Sequence, residues 1–328
     1  MHRSNTLFAL IALGVILVFD LFFTPNFFRV ELKNGHLFGS LVDIVFRASP
    51  VMIMAIGMTL VIATKGIDIS VGSVAAIAGA LAAVLSAKAG APLWITLTLP
   101  LLLALVFGAW NGVMVAVFRI QPIVATLILM VCGRGIAELI TDGKVQTFTD
   151  RGLEFVGNGF LFGLPFFITV VAAVTLAAWA LTRRTALGLF IESVGVNARA
   201  ALVTGLPAKA VTFVVYAATG LCSGLAGLFY SSEIKASDPT NAGLFTELDA
   251  ILAVVIGGTS MDGGRFSLAG TLVGALVMQS LTTTILTFGV PVEGILVLKA
   301  AVVILLCLIQ SPEFRQGVAG LFLPRKAS

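Results

Sequence analysis

Charged side chains are scarce in this chain. Only 11% of its 328 residues are Asp, Glu, Lys or Arg and 59% are hydrophobic, where soluble domains carry roughly 25% charged residues. No water-soluble fold of this length could hide so much apolar surface, which leaves a polytopic membrane protein with mean hydropathy +1.09. A bilayer crossing takes about 20 apolar residues, so the length allows about eight to eleven of them. The two histidines, His2 and His36, both fall outside the apolar stretches. Cys132, Cys222 and Cys307 lie far apart with no CxxC, which argues against a disulfide or metal role and for small packing residues. There is no GxxxxGK[ST], so the chain cannot cradle a triphosphate by itself. HExxH, GxSxG and a carboxylate dyad are missing as well, which disfavours an intramembrane enzyme. A net charge of +4 is too small to suggest nucleic acid.

What is present is a series of apolar stretches at about 6–24, 46–64, 71–88, 93–118, 122–140, 160–182, 209–231, 249–260, 266–288 and 293–310. The stretch Asp249 to Ser260 is too short to cross about 30 Å as a straight helix. The expected fold is therefore an all-α polytopic membrane protein in one domain over residues 1–328, with about ten transmembrane helices and a broken or re-entrant segment near 249–260. The first stretch, Leu7 to Phe23, has no small-residue cleavage site before Thr24-Pro25-Asn26 and reads as a retained anchor.

Basic residues mark cytoplasmic loops. Arg183, Arg184, Arg199 and Lys209 outweigh Glu192 in the 183–209 connection, and Arg315, Arg325 and Lys326 outweigh Glu313 in the tail. By contrast, 232–249 has Lys235 against Glu233, Asp238, Glu247 and Asp249, and 141–159 has Lys144 and Arg151 against Asp142, Asp150 and Glu154. Ten spans put the first pair of segments and both termini inside, and the second pair outside.

Three places carry polar chemistry. The segment Gly66-Ile-Asp68-Ile-Ser70-Val-Gly72 interrupts apolar sequence; irregular backbone survives in lipid only where protein or a water-filled cavity satisfies it. Ser70 or Asp68 could simply cap the helix that follows, or the helix end could face a solute path. Residues 186–208 hold a short helix of their own, with Asn197 as cap and Gly205 and Pro207 as stop. It suits docking on a soluble partner or lying on the membrane surface. Inside the spans, Arg134 and Glu138 are spaced to pair, Lys299 is placed to snorkel, and Trp110, Asn111 and Gln121 combine an aromatic face with amides that could hold an uncharged sugar. A bundle-packing role for Asn111 stands equally open. Residues 61–75 also echo 255–269, pairing Asp68 with Asp262 and Ser73 with Ser267. The small-residue ladders from Gly220 to Gly227 and from Gly270 to Gly274 favour close helix packing.

These residues resemble a family. Gly66-Ile-Asp-Ile-Ser-Val-Gly72 resembles the GIDLSVG hallmark of sugar-importing ABC permeases of the ribose, arabinose and galactofuranose type. Gly188 to Gly205 is similar to that family's cytoplasmic loop, and Glu247 to Ser260 with Gly263 and Gly264 to its ELxxIxAxxIGGxSxxGG motif. The match covers about residues 40–311, and Ile120 to Gly135 and Asn241 to Gly257 are most similar to the galactofuranose-type members. Lys65 departs from the pattern by adding a charge beside the hallmark. The resemblance implies a permease in the bacterial inner membrane, paired with a second, same or related permease. Cytoplasmic ATP-binding subunits would drive it and a periplasmic sugar-binding protein would supply it. It implies that ATP binds the partner and no cofactor binds this chain. It makes Glu192, Gly195, Asn197, Ala200, Ala201 and Gly205 the contact to the ATPase, and the 141–159 and 232–247 loops the docking surface for the binding protein. The hallmark turn is Gly66, Asp68, Ser70 and Gly72, and the path candidates are Trp110, Asn111, Gln121, Glu247 and Asp249. An ion-coupled secondary sugar transporter is the alternative, disfavoured by the lack of a clear acid at the membrane midplane.

Overall fold

Long apolar runs of this kind form helices because a helix satisfies its own backbone groups. The computed structural model describes residues 2–24, 27–33, 35–161 and 163–310. Within them the chain forms α1 (His2–Phe23), the hairpin β1 (Glu31–Lys33) and β2 (His36–Phe38), α2 (Ser40–Ala63), α3 (Val71–Ala87), α4 (Leu93–Ala116) and α5 (Pro122–Thr141). After β3 (Gln146–Thr147) come α6 (Arg151–Asn158), the hairpin β4 (Phe160–Leu161) and β5 (Leu164–Pro165), α7 (Phe166–Arg184), α8 (Leu187–Val203) and α9 (Ala208–Ile234). β6 (Ala236–Ser237), α10 (Thr246–Ile256), α11 (Leu268–Thr287) and α12 (Val292–Gln310) complete the described chain.

Helices occupy all ten stretches expected from the sequence, and seven of them are long and apolar enough to cross a membrane. α3, at 17 residues, and α10, at 11, are the short ones. Several boundaries differ from those expected, two of them by six residues. α2 begins at Ser40, six residues before the apolar stretch, and carries Pro50 within it. α7 begins at Phe166, since β4 and β5 take up the residues before it. The basic tail beyond Gln310 and the Pro25-Asn26 break lie outside the described residues, as does the side chain of Cys307.

α2 and α9 form the centre of the bundle. The apolar window of α2 is 83% buried, against 17% for α1 and α7. The outer helices turn apolar side chains such as Val106, Val131 and Leu176 outward, as a lipid-facing surface requires. Close packing at the centre depends on small residues. A Cβ on Gly220 of α9 would fall 2.4 Å from the Ala104 carbonyl oxygen of α4, so the two backbones touch. Gly227 packs on Ala75 of α3 in the same way, and Gly274 of α11 on Ala253 of α10.

The two ends of the bundle differ. At one end α6 packs on the last turn of α9, with Gly157 against Ser232 and Glu233. There β3 pairs with β6, Lys235 bonds Glu154 at 2.8 Å and Lys88 bonds Asp142 at 2.7 Å. The 141–159 and 232–247 loops are thus one joined surface. The Lys88 hydrogen bond holds the Asp142 carboxyl below its ordinary range. At the other end lies α8.

Gly220→Val should force α4 and α9 apart. Overpacking of this kind costs about 1–3 kcal/mol, and a lowered thermal midpoint of the detergent-solubilised protein would show it. Gly135→Ala, where nothing lies within 4 Å of the added carbon, should leave the midpoint unchanged or raised.

Candidate functional site

The hallmark turn begins where α2 stops. Lys65 takes a left-handed φ of 64° and reverses the chain, which then runs back between the helices before α3 starts. Ile69 N donates to Thr126 Oγ1 at 3.3 Å, and Ser73 Oγ donates to the Leu129 carbonyl at 3.4 Å. Leu129 lies about 10 Å along α5 from Pro122, at 1.5 Å per residue. The first turn of α3 is therefore inside the bundle and not at its edge.

Side chains satisfy the non-helical backbone there. Asp68 and Ser70 are 2% and 1% exposed. Ser70 donates to Asp68 Oδ1 from its backbone N at 2.9 Å and from its hydroxyl at 2.6 Å. Asn111 of α4, fully buried, donates to Ser70 Oγ at 2.9 Å and to Asp68 Oδ1 at 3.4 Å. Asp68 thus closes the turn on Ser70 and caps no helix itself. Tyr216 of α9 stacks its hydroxyl on Gly66, where a Cβ would meet it at 2.5 Å.

α3 and α10 meet head to head. α10 starts at Thr246, inside the stretch read from the sequence as an external loop, because residues 241–245 fold inward on Asp238, which accepts from Asn241 N at 3.2 Å. A Cβ on Gly72 would lie 2.3 Å from Glu247 Oε2 and 2.4 Å from the Gly243 carbonyl oxygen, so only glycine lets the two N-termini touch. Both helix ends are positive, and their convergence favours an anion. Glu247, 3% exposed, supplies it. Arg134 of α5 adds a cation within reach of both Glu247 and Glu138, and it donates to the Ala242 carbonyl.

At the α8 end a second close contact joins three segments. A Cβ on Gly195 would fall 1.8 Å from the Ala63 carbonyl oxygen and 2.4 Å from Gly264 N. Gly264 N donates to that same carbonyl at 2.8 Å, and Lys65 Nζ donates to the Val196 carbonyl at 3.2 Å. α8 breaks at Asn197 (φ −159°, ψ 100°), whose Oδ1 accepts from Arg199 N and Ala200 N at 3.0 Å each. Gly205, at φ +84°, ends it. A hollow of about 450 Å³ opens on its outer side, lined by Glu192, Asn197, Ala200, Ala201 and Arg265 among others.

The structure therefore gathers the sequence-derived residues into two clusters. Gly66, Asp68, Ser70, Gly72, Asn111 and Glu247 lie along the interior turn and helix junction. Glu192, Gly195, Asn197, Ala200 and Ala201 lie on α8. Trp110 is half exposed on the outer face of α4, and Gln121 is exposed as the N-cap of α5. Asp249 pairs with Lys299 of the neighbouring α12 at 2.7 Å, so Lys299 has a partner on an adjacent helix instead of snorkelling. The repeat-like echo pairs residues with unlike roles: Asp262 is exposed, and Ser267 caps α11 by accepting from Gly270 N at 3.1 Å. Sequence reasoning missed Thr126 and Arg134 as partners of the interior junction, since both contacts join segments far apart in the chain.

Asn111→Leu should strand the Asp68–Ser70 pair without its third partner. The cost expected for a buried polar group left unpaired is about 1–3 kcal/mol, read as a lower unfolding midpoint. Asn111→Asp, which sets a second carboxylate beside Asp68, should be at least as destabilising at neutral pH.

A family model described as branched-chain amino acid transport system / permease component matches residues 40–308. The chain is 48% identical to the galactofuranose transporter permease protein YtfT of Escherichia coli (strain K12), over 95% of this chain and 91% of that one. It is 37% identical to the fructose import permease protein FruF of Bifidobacterium longum (strain NCC 2705), over 94% and 88%. It is also 37% identical to the ribose import permease protein RbsC of Escherichia coli (strain K12), over 93% of each. With its apolar helices and this match across most of its length, the chain belongs to that permease family and is a multi-pass membrane protein.

Proposed function

We propose that this chain is the membrane-spanning permease subunit of an ATP-driven ABC importer that carries a monosaccharide, galactofuranose in the first instance, across the bacterial inner membrane. Its relatives over more than nine tenths of its length are named as galactofuranose, fructose and ribose permeases. The geometric observation that carries the reading is the three-way contact of Ala63, Gly195 and Gly264, which ties α8 to the interior turn.

In this reading the chain is a single permease unit that crosses ten times. α3 completes its crossing with the non-helical residues before it, and α10 does so with the loop that leads into it. Both termini and α8 then share the cytoplasmic face, consistent with the basic residues of 183–209. α8 seats on a cytoplasmic ATP-binding subunit through the hollow around Glu192, Asn197 and Ala200. Nucleotide closure draws the α8 helices of two paired permeases, same or related, together. Because Gly195 bears directly on Ala63, that movement passes to the turn at Asp68 and to the α3–α10 junction. The joined α6-end surface receives a periplasmic sugar-binding protein. ATP belongs to the partner, and no cofactor is assigned to this chain.

Buried Asp68 and Glu247 favour a second reading, the ion-coupled secondary sugar transporter, because intramembrane acids are the groups such transporters use. In the importer reading Asp68 closes the turn and Glu247 neutralises two helix ends.

Uptake into vesicles should require internal ATP and the partner ATPase, and should persist with an uncoupler. Uptake that follows a proton or sodium gradient would establish the second reading. Replacing Asn197 and Ala200 with bulky residues should release the ATPase subunit from the purified permease while the permease stays folded; continued co-purification would place the seat elsewhere. Gly195→Val should keep the ATPase bound and uncouple hydrolysis from uptake.

A further inference from the structure

We propose that a polar pocket at the α6 end of the bundle is a monosaccharide subsite of the permease itself. The proposal rests on the sugar-importer reading and adds the residues that meet the sugar. The pocket encloses about 310 Å³ between Gly79 of α3, the last turns of α9 and the chain leading into α10. That is within the range of small-molecule sites, roughly 300–1,000 Å³.

A monosaccharide offers a ring of uncharged hydroxyls, each able to donate and accept, and a less polar face. The pocket matches that chemistry with the Glu233 carboxylate, the Asn241 amide, the Ser237 hydroxyl and the Tyr230 ring. Asn241 Nδ2 is held by Asp238 Oδ2 at 2.8 Å, which orients the amide and leaves its carbonyl oxygen to accept. Ser237 is 1% exposed and its hydroxyl has no partner. A buried hydroxyl left unpaired is costly, and a sugar hydroxyl would relieve it. The Tyr230 hydroxyl lies against Thr246, which fixes the ring at the pocket edge.

Position separates this pocket from an ordinary surface dent. Gly243 and Thr246 line it and also face Gly72 at the junction of α3 and α10. A sugar released at the α6 end would settle against the contact that the α8 movement has to open.

The test uses the complete importer in proteoliposomes, with its ATPase and sugar-binding protein, offered galactofuranose, ribose and fructose in turn. Ser237→Ala and Asn241→Leu should each lower uptake roughly three- to ten-fold, the factor that one neutral hydrogen bond is worth. Asn241→Gln should retain most of it. Sugar-independent ATP hydrolysis should stay at wild-type levels, because neither residue lies on α8, and capture of the binding protein is measured beside uptake because both residues lie in the 232–247 loop. If the wild type imports a sugar and the variants match it in rate and preference, the pocket is overturned and the importer reading stands. Variants that lose capture of the binding protein would make these residues a docking surface and overturn the subsite. A wild type that imports none of the three sugars would overturn the importer reading together with the pocket.

Discussion

Backbone groups inside a membrane protein must find partners within the protein, and the rest of this structure depends on how that demand is met. A chain of uninterrupted helices would meet it trivially and would be a passive bundle. This chain instead interrupts its helices at 64–70, 241–245 and 257–267 and satisfies the exposed groups with its few polar side chains. Asp68, Ser70, Asn111 and Thr126 serve the first break. Asp238 serves the second. Ser267 serves the third, with Thr259 accepting from Ser267 N at 3.3 Å.

The breaks are joined by direct backbone contacts. Gly195 and Gly264 meet Ala63 at the α8 end, the turn runs from Lys65 to Ser70, and Gly72 meets Gly243 and Glu247 at the junction of two short helices. Side chains at these glycines would hold the segments apart, and flexible side chains between them would absorb displacement. Packed backbone transmits displacement because it has little freedom to yield. Glu247 sets a negative charge between the two positive helix ends at the junction, which favours their convergence beside the backbone contact of Gly72 with Gly243.

The division between sequence and tertiary structure follows from which forces are local. Apolar runs dictated the helices, since hydropathy is a property of consecutive residues, and the short 249–260 stretch already announced a broken segment. Asn197 as a cap and Gly205 as a stop were legible for the same reason: their hydrogen bonds and φ angle involve neighbours within a few residues. Family membership was legible too, because the motifs at 66–72, 188–205 and 247–264 are contiguous strings. The residues of the interior site were legible as well, as the hallmark turn and as path candidates that included Asn111 and Glu247, but their partners were not. Glu247 also read as part of an acidic external loop, Lys299 as a snorkelling cation and Arg134 as the partner of Glu138 alone. Folding placed Glu247 between two helix ends, paired Lys299 with Asp249 and gave Arg134, still within reach of Glu138, the Ala242 carbonyl and Glu247 as further partners. Burial and partner choice for a charge are set by segments 50 or 100 residues away, and only their packing in three dimensions decides them.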